Sequence, residues 1–371
     1  MEQLPLSVKR ITLFLGLLFG WLPGRAQDPT TTQFHITRNY LNPAYAGYSS
    51  DLSLNYNSRL QWTKVSGKFS THNFAANIAC EERNLGFALY GYDNVEGDGL
   101  LRTTLGGFQT AIYFPWNLGN SNMVGSPGMF AFGFQVGIGQ QSIDWDRLVF
   151  TDQLSDQSYR LVRPTSIILP QAVQGSAVWD IAAGFRGLHA LFDEKGYISF
   201  GASAFHLARN QKSFFGNNSQ VEWPIRYTGH LWGHYFWENG GIRKTIELGS
   251  VFNSQVNLQT ITTMLYYGYD PIRFGGGLRA GWVESLSDDK RRIREDAWVA
   301  QVDFKVSDNF LLSYTFEYTR NEVGIQRTFG THEIGLTYIF EGSVLCPELY
   351  KNDIDCINPI PEIQESGISG L

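Results

Sequence analysis

Charge is scarce in this chain: charged residues are 17% of it, and no basic excess is present, the formal net charge being −6. That balance excludes the electrostatic footprint of a nucleic-acid-binding protein. It suits instead a surface that needs few charges. Long apolar runs are also lacking after residue 26, so no helix of the mature chain has the about 20 apolar residues a membrane span requires. Only three cysteines occur, Cys80, Cys346 and Cys356, too few for a disulfide framework. Internal repeats longer than a hairpin and low-complexity tracts are absent.

Catalytic signatures are missing too. The seven histidines are scattered. His230 and His234 share one face of a strand, but four residues along a strand span about 13 Å, too far for one metal ion. "GGG" at 275–277 has no following helix and no Lys-Ser/Thr, which argues against a phosphate cradle and for a strand bend or a close neighbour. No enzyme activity, metal or cofactor is expected.

What is abundant is aromatic residues, 15% of the chain, and glycine, with 39. The start, "MEQLPLSVKRITLFLGLLFGWLPGRAQD", has basic Lys9 and Arg10, an apolar run from Ile11 to Leu22 and then Gly-Arg-Ala. It reads as a secretory signal of residues 1–26, cleaved after Ala26. No cysteine follows the cut, which argues against a lipoprotein anchor.

From Ser50 to Phe340, period-two segments recur between turn signals. They place strands at 50–62, 71–81, 84–93, 101–115, 129–143, 177–190, 196–208, 225–237, 244–256, 258–269, 271–283, 296–306, 310–320 and 331–340. Fourteen is an even number, as in single-chain outer-membrane barrels. Most segments reach the about 9–11 residues of a tilted spanning strand, beyond the usual about 5–6. In "THEIGLTYIF", Ile334, Leu336, Tyr338 and Phe340 share one face; Glu333, Gly335 and Thr337 share the other. Trp, Tyr and Phe concentrate at strand ends, as in aromatic girdles. With the chain entering from the periplasm, the turns below are mostly short and the loops above long, notably 144–176 and 209–224. The expected fold is therefore all-β: a transmembrane up-and-down antiparallel β-barrel of about 14 strands over residues 50–340, with both termini periplasmic. The greasy face then looks at lipid, and Phe340 is a strand-terminal aromatic.

Inside such a barrel, Arg59, Arg186, Arg226, Arg273 and Arg279 would lace the lumen with ion pairs to acids such as Asp180, Asp303, Glu317 and Glu333; a site for an acidic peptide is the sharper but less favoured reading. The segment 27–49 precedes the first strand and is expected to plug or brace the periplasmic mouth. Residues 341–371 form a periplasmic tail in which Cys346 and Cys356 are candidates for a disulfide, worth about 2–3 kcal/mol on so short a loop. Cys80 is expected as a small apolar filler. The long loops carry Trp145, Phe150, Tyr159, Phe214 and Phe215, a candidate partner-binding surface.

"LNPAYAG" (41–47), "RLQW" (59–62) and "THEIGLTYIF" (331–340) are similar to the motifs of the PorP/SprF family, outer-membrane proteins of the type IX secretion system of Bacteroidota. The motif positions are Asn42, Pro43, Ala44, Tyr45, Gly47, Arg59, Gln61, Trp62, His332 and Glu333. The final hairpin, "LSYTFEYTRN", departs from the family's frequent Tyr-Asp, and the cysteine-bearing tail extends past the last strand. The resemblance implies a non-enzymatic barrel that helps export or surface-anchor large, adhesin-like cargo proteins, gliding adhesins included, through the cargo's C-terminal domain. The partners it implies are the secretion machinery and that domain, with outer-membrane lipid around the wall. A passive outer-membrane channel or transporter is the alternative reading, and a barrel-embedded hydrolase a more distant one.

Overall fold

The computed structural model of the chain describes residues 28–343, apart from positions 50, 68, 81–82, 99, 119–125, 155–163, 166–174, 176, 192–194, 209–222, 241, 285–290 and 321–322. Fourteen antiparallel strands close into one barrel. They are β1 (Leu52–Gln61), β2 (Ser70–Cys80), β3 (Leu85–Glu96), β4 (Leu101–Leu118), β5 (Ser126–Ser142), β6 (Val178–Leu191) and β7 (Gly196–Phe205). Then follow β8 (Arg226–Asn239), β9 (Ile242–Gln255), β10 (Leu258–Tyr269), β11 (Ile272–Glu284), β12 (Arg291–Ser307), β13 (Phe310–Thr319) and β14 (Thr331–Phe340). Each strand pairs with its sequence neighbours, and β1 closes on β14 from Leu52↔Phe340 to Gln61↔Thr331. No edge is left unpaired, as a sheet in hydrocarbon requires. Among the described residues no helix is long and apolar enough to cross a membrane.

All fourteen expected strands form, with ends shifted by a few residues. The largest shift is in β12, which starts at Arg291 rather than at 296. "RRIRED" carries too much charge to show an apolar alternation, yet it pairs with the last turn of β11 beyond a register shift at Arg279/Ala280.

The faces sort as the alternation requires. On β12 the outward Trp298 and Phe304 are 48% and 42% exposed, while the inward Asp303 is fully buried. On β14 Ile334, Tyr338 and Phe340 point outward, whereas Glu333 is buried. At one end of the barrel most connections are short, such as 270–271 between β10 and β11 and 308–309 between β12 and β13. At the other end lie 143–177, 206–225 and 320–330, with one tight exception at 256–257.

Cys80 corrects the cysteine assignment. It closes β2, is 2% exposed and is disulfide-bonded, not a lone filler. Asn77 of β2 lies beside Ser53 of β1, and Leu52 beside Phe340. Cys80 therefore sits at the same end of the barrel, two strands from the tail's exit. Cys346 and Cys356 themselves lie outside the described residues.

Candidate functional site: a luminal plug and its vestibule

Among the described residues, inward side chains of the strands pack against the segment that precedes β1. Residues 28–49 fill the lumen, entering at the long-loop end and reaching β1 at the short-turn end. At the first end the Asp28 amide donates to Gln255, the last residue of β9 (2.6 Å). At the other, Ala46 and Gly47 lie against β2 and β3. Expected at a periplasmic mouth, the segment instead runs the depth of the barrel. Asp28 and Phe340 lie at opposite ends.

The plug turns because its sequence offers turn formers at the right places. A single helical turn, Arg38–Leu41, gives way to a 3-10 turn, Pro43–Tyr45. Asn42 caps that turn, its Oδ1 accepting from the Ala44 amide (2.9 Å), while Pro43 stands at the first position, where its missing N–H costs nothing. The Asn42 amide nitrogen also donates to the Phe185 and Ala202 carbonyls of β6 and β7 (2.8 and 3.3 Å). Tyr45 donates to or accepts from His230 (3.1 Å), and its ring carries the Arg186 guanidinium at 4.5 Å. Gly47 adopts φ +67°, a left-handed backbone.

Two strand glycines make room for the motif. A Cβ on Gly133 would stand 2.2 Å from the Ala44 nitrogen, and one on Gly86 would stand 1.9 Å from the Ala46 oxygen. Around them Ala44, Ala46, Ala88, Ala111 and Ala131 pack in one small-residue cluster. The Tyr113 hydroxyl reaches the Ala46 carbonyl from the wall.

Charge holds the plug elsewhere. Arg59 donates to Glu317 (2.5 and 2.8 Å) and to Glu333 (3.0 Å). Arg279 donates to both oxygens of the same Glu317 (3.0 and 2.7 Å). The plug completes this cluster: the Thr32 hydroxyl donates to Glu317, and the Thr32 and Gln33 amides donate to Glu333 (3.1 and 3.2 Å). A second cluster joins Arg273 to Glu247 and Asp303 (both 2.8 Å), with plug His35 3.5 Å from Asp303. Burial is the largest influence on His35 and lowers its pKa.

A third set of contacts runs from plug to wall and back. Asn39 donates to Gln109 (2.8 Å), Gln109 to Gln135 (2.6 Å) and Gln135 to Asp180 (2.7 Å). Asp180 meets His206 (2.7 Å), and His206 meets Asp28 at the head of the plug (2.6 Å). Arg226 stacks on Tyr40 at 3.9 Å and lies 3.5 Å from Asp28. Of the expected lumen pairs, Arg59, Arg273 and Arg279 meet Glu317, Glu333 and Asp303, whereas Arg226 pairs with plug Asp28 and Asp180 with His206.

Above Asp28, Pro29 and Thr30 a cavity of about 590 Å³ remains at the long-loop end. Motif residues Gln61 and Trp62 line this vestibule. His332 lies on the opposite, outward face of β14, hydrogen-bonded to Tyr314 (2.8 Å), so the motif divides between plug, lumen wall, rim and outer face. Trp145 and Phe150 are half-buried in the 143–177 connection; Tyr159, Phe214 and Phe215 lie outside the described residues. No group of His, Cys, Asp and Glu able to hold a metal ion occurs among the described residues.

Fold and site together define a closed fourteen-strand barrel of the outer-membrane kind, with its own N-terminal segment threaded through the lumen. Residues 24–338 match the model of the type IX secretion system membrane protein PorP/SprF family. The chain belongs to that family and is an outer-membrane protein. No curated protein matches it. Among solved structures it is similar to the CymD monoaromatic hydrocarbon channel (10% identity, 82% of this chain and 93% of that one, TM-score 0.40). It is also similar to the Acinetobacter baumannii outer membrane protein Omp33 (8% identity, 79% and 100%, TM-score 0.38) and to Pseudomonas putida OprB (8% identity, 79% and 94%, TM-score 0.34). Likenesses this remote carry no argument about function.

Proposed function

We propose that this barrel is a non-enzymatic holding platform of type IX secretion. In this reading it binds specific large cargo proteins by their C-terminal domains and helps export them or anchor them at the surface. Family membership supports the setting. The observation that carries the platform reading is the plug: among the described residues the lumen is crossed by residues 28–49, tied to the wall through Glu317, Glu333, Asp303 and His206. That weighs against a passive channel.

The asymmetry of the connections supports placing the long loops at the cell surface, as in other barrels of this kind. The tail 341–371 then leaves β14 into the periplasm. Loops on a rigid scaffold are where binding concentrates, which makes 144–176 the first segment to test. Deletion of the gene should abolish surface display of one or a few large secreted proteins while general envelope integrity stays intact. Deleting 144–176 alone should do the same with the barrel assembled. Display that survives loop deletion moves binding to the short-turn end. A full deletion that alters only small-solute uptake defeats the platform reading.

A further inference from the structure

The plug carries one guanidinium that the wall does not neutralise. Arg59, Arg226, Arg273 and Arg279 each meet a carboxylate, at 2.5, 3.5, 2.8 and 2.7 Å. Arg38, half-buried on the single helical turn, has no carboxylate within ion-pair distance among the described residues. Its guanidinium lies instead over the rings of Tyr48 and Tyr45, at 4.7 and 5.9 Å. Tyr48 accepts from Asn55 (2.9 Å), near the start of β1. That places the cation in the short-turn half of the lumen.

An independent sign of a ligand comes from the wall around Tyr45. The Tyr45 hydroxyl meets His230 Nε2 (3.1 Å). With the tyrosine donating, Nδ1 carries the ring proton, and that nitrogen is buried without a hydrogen-bond partner. Ser199 lies on β7, the strand beside His230, at 2% exposure. Its hydroxyl is unsatisfied as well. Buried polar atoms ordinarily find partners. Arg38, His230 Nδ1 and Ser199 can all donate, so what they lack is an acceptor. A carboxylate, which only accepts, is the group that fits.

The chain supplies such groups at this end. Residues 344–371 follow β14, whose last residue, Phe340, lies at the short-turn end. They hold Glu348, Asp353, Asp355, Glu362 and Glu365 against Lys351 alone, a net charge of −4. Cys80, at the same end, is disulfide-bonded, and the other two cysteines of the chain, Cys346 and Cys356, belong to this segment. A segment of this length extends to about 90 Å, against about 30 Å for the hydrocarbon core, so reach is no obstacle. Tethering also gives it an effective concentration on the order of millimolar.

We propose that the acidic segment 344–371 turns back into the short-turn mouth and sets its carboxylates on Arg38 and on the donors of His230 and Ser199, a strap beneath the plug. The strap does not depend on the platform reading. An acidic segment of a separate protein would suit the same donors, but it would have to displace one that is already tethered.

The test uses the full-length barrel in lipid nanodiscs, without reductant. Arg38→Lys keeps the charge and lets a carbodiimide join residue 38 to a carboxylate in contact with it. Peptide mapping should find residue 38 joined to Glu348, Asp353, Asp355, Glu362 or Glu365. In wild type at low salt, trypsin should cut slowly after Lys351. Cleavage should be about tenfold faster in Arg38→Gln, or when the five acids are replaced by their amides. Lys64→Gln, at the long-loop end, should change nothing. Retained heat-modifiable migration shows that each variant is folded. Absence of a link from residue 38 to the segment, or cleavage at Lys351 that ignores Arg38→Gln, overturns the proposal. So does preferential linking of residue 38 to an added Gly-Glu-Gly-Glu-Gly peptide, which would assign the site to a separate partner. None of these readouts involves secretion, so failure of the platform reading is a separate outcome.

Discussion

Glu317 is the residue whose removal should most loosen the plug. It is 2% exposed and accepts from Arg59, Arg279 and the Thr32 hydroxyl at once. Glu317→Gln keeps the shape and removes the charge, leaving two buried guanidiniums short of a counter-ion. Breaking a buried pair from one side costs about 3–5 kcal/mol. The lower figure applies, because Arg59 retains Glu333 at 3.0 Å and Arg279 retains Asp296 at 3.9 Å. Part of that loss falls on the plug itself through Thr32, so the open population of the plug should rise by up to about a hundredfold for about 3 kcal/mol.

Two readouts separate the wall from the plug. In urea, with a slope of about 3 kcal/mol per M, the unfolding midpoint of the variant should fall by about 1 M. Trypsin under native conditions should cut after Arg38, inside the lumen, faster than in wild type, since cleavage of a transiently opened segment follows its open population. Thr32→Val should give a smaller loss, about 1 kcal/mol, and the double variant should be less than additive because the two side chains touch. A midpoint within about 0.2 M of wild type together with unchanged cleavage at Arg38 refutes the idea that this cluster holds the plug.

Other expectations follow from single contacts. Burial alone would lower the pKa of His206, but Asp28 and Asp180 outweigh it and raise the value; Arg226 also faces Asp28. A raised folded pKa means the stabilisation is fully present below the unfolded value of about 6.5 and is lost as pH rises through the folded one. Tryptic protection at Arg38 should therefore weaken on going alkaline, and His206→Gln should flatten that dependence; the opposite slope defeats the assignment. Non-reducing peptide mapping should recover Cys80 linked to Cys346 or Cys356 with one thiol left free, and a 346–356 link would contradict it. Phe340→Glu places a charge on the lipid face at a strand end, a direct cost of only about 0–1 kcal/mol. A large assembly defect then points to recognition of the last strand by the insertion machinery, and normal assembly counts against that role.

The wall was legible because alternation is a local signal. Leu312, Tyr314, Phe316 and Tyr318 need only lipid on one side and polar company on the other, and each strand carries that pattern by itself. Where charge replaced apolar residues, at Arg291–Asp296, the pattern vanished although the pairing did not. The plug was not legible in the same way. "NPAYAG" shows a turn, but its place depends on residues far along the chain: Asn42 on Phe185 and Ala202, Ala44 on Gly133, Ala46 on Gly86. Inward Asn and Gln such as Asn77 and Gln109 fit a water-filled lumen equally well until Asn39 is placed between them. The inward glycines held the usable clue, since small positions on a lumen-facing row leave space for something to lie against the wall.

Plug and seam are also one unit. The plug runs directly into β1, and β1 closes the barrel on β14. Glu333 of β14 pairs opposite Arg59 of β1, bonds to it (3.0 Å) and accepts from the Thr32 and Gln33 amides of the plug. Asn57 of β1 donates to Glu333 and to Gln33 (2.8 and 3.0 Å). Until β1 meets β14, Thr32 and Gln33 lack the carboxylate that receives them, and Arg59 lacks half its counter-charge. An unpaired charge or amide in the interior is costly, so an empty closed barrel and a seated plug with an open seam are both disfavoured. The strand register and the plug thus specify each other: Arg59 and Glu333, from the motifs at 59–62 and 331–340, meet the plug at Thr32 and Gln33, while the motif at 41–47 seats its other end against β2, β3, β5, β6 and β7.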